Sequence, residues 1–227
     1  MTQIASYIDS IAIAAVAFML LGYHAYLHVR LKRNPDYTIQ AVNRQARAAW
    51  VESIMAVESR YIVGVQTLRN STMAATFKAS TAILLIIGTL NLSSEANKLA
   101  TSWHVLNMIG SNDPTLWMVK ILLLVTDFFV AFFGFAMSIR LYNHVGFYLS
   151  IPPEARHRLL SDKNVAVHLN RAGFYYSIGM RAYYVSIPLV FWLFGPVYML
   201  VATGVLIYVM YVTDRNPDGA ANSAAAG

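Results

Sequence analysis

Four stretches of this chain, about residues 8–29, 71–92, 116–140 and 186–212, run largely apolar for 20 residues or more. A small soluble core cannot cover runs of that length. They match instead the ~20 residues that a helix rising 1.5 Å per residue needs to cross a ~30 Å hydrocarbon layer. Composition agrees: 57% of the residues are hydrophobic and 12% charged, where a soluble domain carries about 25% charged residues. The predicted fold is all-α, a polytopic membrane bundle of four transmembrane spans forming a single membrane domain over residues 1–215. The low-complexity tail 216–227 is predicted to be disordered.

The placement of basic residues predicts an orientation. Segment 30–70 holds seven Lys and Arg (Arg30, Lys32, Arg33, Arg44, Arg47, Arg60, Arg69), whereas 93–115 holds one, Lys98. Segment 140–181 holds six (Arg140, Arg156, Arg158, Lys163, Arg171, Arg181), and the tail holds only Arg215. By the positive-inside rule the segments 30–70 and 141–185 are cytoplasmic, with both termini on the other side of the cell membrane. The first run lacks a basic region before it and is too long for a signal-peptide core, so it reads as a retained span. Within the first cytoplasmic segment, Ile39, Val42, Ala46, Trp50, Ile54, Val57 and Tyr61 recur at helical spacing and Thr38 suits the N-cap. That amphipathic helix either lies on an anionic leaflet or packs under its own bundle, the plainer reading. In the last third, two spans would require a turn around Pro188; the preferred reading is an interfacial helix through about residue 184 and then one span, kinked at Pro188 or at Gly195-Pro196. The alternative is a helix broken there, whose freed carbonyls line a cavity.

Five ordered stretches carry a family resemblance: "RNPDYTIQAVNRQARAAWV", "VQTLRNSTMAAT", "SIRLYN", "GMRAYYVSIP" and "FWLFGP", followed by Asp214. Over roughly residues 33–214 the chain resembles the integral membrane proteins called domain of unknown function family 599, found in bacteria and plants. The resemblance implies a four-span membrane protein and supplies no activity, cofactor or substrate. Residues matching its motifs are Asn43, Arg47, Trp50, Gln66, Arg69, Asn70, Arg140, Asn143, Arg181, Trp192, Gly195 and Pro196. Positions 78 and 127 are usually uncharged in that pattern, so it implies no role for Lys78 or Asp127.

Those two charges nevertheless stand inside predicted spans. Lys78 lies 14 residues from the outer end of its span and Asp127 11 residues into the next, depths that differ by about 5 Å. A lone charge near mid-bilayer costs at least about 2.5–3.5 kcal/mol, which favours an intramembrane Lys78–Asp127 ion pair. Otherwise Lys78 snorkels to the headgroups and Asp127 is protonated or capped by hydroxyls. Arg69, Asn70, Arg140, Asn143 and Arg181 gather at the cytoplasmic ends of the spans. They form either a site for an anion or lipid headgroup or a set of anchors that satisfy helix-terminal carbonyls. His24 and His28, four apart on one face, and His144 at similar depth are weak metal candidates without a full ligand set.

Several classes are excluded or lack support. The absence of cysteine removes disulfides, thiolate metal sites and catalytic thiols. No nucleotide-binding, nucleophile-elbow or paired-carboxylate motif is present, so neither an enzyme nor a cofactor is expected. The +6 net charge follows topology and does not form a nucleic-acid patch. Two functions remain: a structural or accessory membrane subunit, and a transporter or channel that only an oligomer encloses. The expected partners are anionic headgroups on the cytoplasmic side and further copies of the chain or a larger membrane complex. If Lys78 and Asp127 pair, Lys78→Met lowers the melting temperature in detergent and a second change, Asp127→Leu, restores it; a double variant no better than the worse single one refutes the pair.

Overall fold

The computed structural model describes residues 2–94, 114–156 and 160–216. Lys98, Arg158 and the low-complexity tail beyond residue 216 lie outside them. Among the described residues there are six α-helices and no strand: α1 (Thr2–Arg33), α2 (Ile39–Met55), α3 (Tyr61–Ser94), α4 (Pro114–Leu149), α5 (Asp162–Phe194) and α6 (Pro196–Asp214). Single 3-10 turns at Glu58–Arg60 and Pro153–Ala155 precede α3 and α5. All except α2 are long and apolar enough to cross a membrane.

The last third differs from the sequence expectation. One helix, α5, runs through Pro188 without interruption, in place of an interfacial helix ending near residue 184. The break falls at Gly195, so two helices replace the single kinked span over 186–212. A proline alone deletes one backbone hydrogen bond, which a helix can absorb. Gly195 adds φ 140°, ψ 159°, a region open only to a residue without Cβ. Pro196 then starts α6 at the position where its fixed φ suits a helix and its missing N–H costs nothing.

The chain forms two compact units. In the first (residues 1–39, 84–129 and 182–227), α1 and α6 run parallel. In the first half of α1, Ala12 clusters with Trp192 at the end of α5 and Met199 at the start of α6. Farther along, Tyr23, Leu27 and Tyr37 cluster with Leu206 and Met210. At the far ends Thr38 bridges Arg215, and the Asn216 N–H donates to the Tyr37 carbonyl at 2.9 Å.

In the second unit (40–83 and 130–181), the backbones of α4 and α5 cross at Gly134 and Gly179. A Cβ on Gly134 would stand 2.7 Å from the Gly179 nitrogen, so the contact exists because neither residue has one. The Ser138 hydroxyl donates to the Ala172 carbonyl at 3.0 Å beside it. Helix α2 buries Val51, Ile54 and Met55 against Leu68, Val145, Leu149 and Leu169. It thus packs on its own protein, on a face turned part-way from the expected one: Ile54 is buried and Trp50 and Tyr61 pack partly buried against the same cluster, whereas Ile39 and Val57 are exposed. The helix ends at Met55, so Val57 and Tyr61 no longer continue its periodicity. Gly195→Ala should cost about 1–3 kcal/mol by forcing a Cβ into a glycine-only conformation, read as a lower melting temperature in detergent.

Candidate functional site

The best-defined polar constellation lies in the first unit at the α5–α6 break. Pro196 has no N–H, so the Trp192 carbonyl four residues earlier loses the donor that a continuous helix would supply. Two replacements reach it: the Gly195 N–H at 3.1 Å and the Lys120 ammonium of α4, also at 3.1 Å. The same ammonium stands 3.5 Å from Asp9 Oδ1 of α1 and 5.0 Å from the centroid of the Trp192 ring. The Trp192 indole N–H donates to Asp9 Oδ1 at 2.8 Å. Each member therefore contacts both others. The Asp9 and Lys120 side chains are 0% and 2% exposed, which closes the site to solvent. Opposite charges so desolvated hold together only with good geometry and further hydrogen bonds, and here the indole and the carbonyl supply them.

At the other end of the same unit the Tyr23 hydroxyl donates to Asp214 at 2.9 Å. The Tyr26 and Tyr37 hydroxyls lie 3.1 Å apart, and Arg30 stands over both rings at 5.4 and 5.7 Å. His24 and His28 are exposed on α1, and His24 Nδ1 lies 2.8 Å from the Leu20 carbonyl. Among the described residues no three His, Asp or Glu side chains converge as a metal site.

In the second unit, α2 presents Arg47 to Asn170 of α5, whose amide oxygen accepts from Nε at 2.9 Å. The Asn170 amide nitrogen in turn donates to the Arg44 carbonyl at 3.3 Å. Gly173 leaves room for the guanidinium, since a Cβ there would stand 2.7 Å from Arg47 Cζ. Burial pushes the Arg47 guanidinium below its ordinary proton affinity, and Tyr142 acts in the opposite sense. Arg69 and Asn143 line a common cleft of about 400 Å³ between α3 and α4. Arg140, Asn70 and Arg181 of the expected anion site are not among its walls. His144 stacks on Tyr148, 6.4 Å between centroids.

Lys78 and Asp127 belong to different units. The Lys78 ammonium lies 5.6 Å from the Tyr176 ring centroid in the second, a cation–π contact. In the first, Asp127 Oδ2 is buried without a hydrogen-bond partner among the described residues. Sequence reasoning missed Asp9 and Lys120. Each is an ionisable residue within a few positions of the start of a predicted span, which is itself a signal of an interior partner.

A family model described as "Protein of unknown function, DUF599" matches residues 11–218. Comparison with curated proteins and with solved structures finds no match. Within the buried constellation, Lys120→Met should destabilise by about 3–5 kcal/mol because the buried Asp9 carboxylate loses its counter-charge, and Asp9→Leu in that background should recover much of the loss. Thermal unfolding of the single and double variants in detergent checks both statements.

Proposed function

Since the chain belongs to the DUF599 family, which brings no activity with it, we propose that it is a structural or accessory subunit of the cell membrane, working as a homo-oligomer or within a larger complex. The observation that carries this reading is the closure of the Asp9–Lys120–Trp192 constellation. Charges serving a solute path need access to water, whereas these are 0% and 2% exposed and bonded to one another. Their use is to set how α1, α4 and α5 pack. The outward faces are apolar, with Phe18, Leu21, Phe77 and Phe133 all exposed, and suit lipid or a neighbouring subunit. Lipid contact on the cytoplasmic side and assembly with other copies belong to the same reading.

The reading includes a topology of five crossings. Because α1 and α6 run parallel with Asp9 beside Trp192 and Tyr37 beside Asn216, a membrane crossed by α1 is crossed in the same direction by α6. Asn216 then lies on the side of residues 30–38, which the basic residues make cytoplasmic, in place of the outward C-terminus expected for four spans. A transport role for an oligomer using Lys78 and Asp127 is the second reading, favoured by the unpartnered buried Asp127 Oδ2.

Native mass spectrometry of gently extracted protein should find further copies or a stable partner chain. Proteoliposomes should show no solute flux that vanishes in Lys78 or Asp127 variants; such flux, with folding retained, overturns the structural reading in favour of transport. A protease site appended after residue 227 should be cut only in inside-out vesicles, and cutting in right-side-out vesicles refutes the fifth crossing.

A further inference from the structure

Two helical faces of matching periodicity build the cleft of the second unit. Val65, Arg69 and Thr72 stand at i, i+4 and i+7 on α3, while Asn143, Gly146 and Ser150 stand at i, i+3 and i+7 along α4 and just past its end. Three of these carry hydrogen-bond donors with no acceptor among the described residues: the Arg69 guanidinium, the Thr72 hydroxyl and the Asn143 amide. The Ser150 hydroxyl is already bound to the Gly146 carbonyl at 2.8 Å. No acidic residue lines the cleft, so nothing in its walls neutralises Arg69. Leu68, Tyr142 and Phe147 make up the rest of the wall, which is apolar apart from the Tyr142 hydroxyl.

We infer that this cleft binds the phosphate group of an anionic phospholipid. A guanidinium with an amide and a hydroxyl beside it supplies the charge and the donors that a phosphate diester accepts. The cavity of about 400 Å³ leaves room beside the phosphate for the glycerol end of the lipid, and the apolar walls suit that part. Depth agrees. From Arg69 to the end of α3 at Ser94 the helix covers about 38 Å at 1.5 Å per residue, more than the ~30 Å hydrocarbon layer. Arg69 therefore stands at the headgroup boundary, where a phosphate is found. The inference rests on the membrane reading and deepens it by naming the lipid class and the residues that hold it.

The test uses the full chain in nanodiscs and in detergent, with phosphatidylglycerol, phosphatidylcholine and inorganic phosphate as separate probes and native mass spectrometry as readout. The wild type should retain one phosphatidylglycerol per chain. Arg69→Gln should weaken that retention about tenfold, the loss expected for a charge-assisted pair at an accessible site. Gly146→Leu should do the same by filling the cleft, since a Cβ at Gly146 meets no atom within 4 Å. Phosphatidylcholine retention should be weaker and unchanged by either variant. Circular dichroism and melting temperature establish that each variant is folded; should Arg69→Gln not fold, Thr72→Val joins Gly146→Leu in its place. Phosphatidylglycerol retained equally by the folded variants overturns the inference. Inorganic phosphate binding as tightly as the lipid, with the same dependence on Arg69, also overturns it by making the occupant a free anion. Recovery of the wild type in the soluble fraction after a carbonate wash would defeat the membrane reading itself, an outcome distinct from membrane-bound protein with unaltered lipid retention.

Discussion

The carbonyl of Trp192 is the group on which the first unit depends. Pro196 removes its helical donor, and a carbonyl left bare in an apolar setting costs several kcal/mol. Lys120 reaches it at 3.1 Å, but a buried ammonium then needs a counter-charge. Asp9 provides one, and the Trp192 indole N–H satisfies the Asp9 oxygen in turn. The Gly195 N–H shares this carbonyl at 3.1 Å, and through Lys120 and its pairing with Asp9 both α4 and α1 are tied to the break between α5 and α6. The direction of α6 follows as well, because the glycine-only turn at Gly195 lets the chain reverse and lie along α1.

The second unit is held differently. Its helices approach through absent side chains at Gly134 and Gly179, and α2 seals one end by packing apolar residues on the helix ends. Polar contacts there join α2 to α5 through Arg47 and Asn170. Close backbone approach gains dispersion contact that large side chains would prevent.

Charges in the chain fall into two groups with different consequences. Asp9 and Lys120 are enclosed and the half-buried Arg47 is bonded to Asn170, so their free energy is committed to packing. Arg69 has neither an acid nor a carbonyl to satisfy it among the described residues and faces a cleft with room for a ligand. Under the lipid-binding reading proposed above, the two kinds divide the work: enclosed pairs keep the helices in place, and Arg69 is left open to a ligand.

The sequence by itself determined the helical class, because runs of 20 apolar residues admit few other ways to satisfy their backbone in lipid. It also determined that a helix begins after Thr38 and that Gly195 and Pro196 disrupt the last long run. Only the tertiary structure decided that the disruption is a full break, since φ at Gly195 is set by what α6 packs on and not by the glycine. It alone decided which charges meet: Asp9, Lys120 and Trp192 are 72 to 183 positions apart, and periodicity along one helix contains no information about its neighbour's identity. The same holds for the face of α2, where Ile54 was legible from spacing but the rotation of the helix was chosen by Leu68, Val145 and Leu149 of other elements.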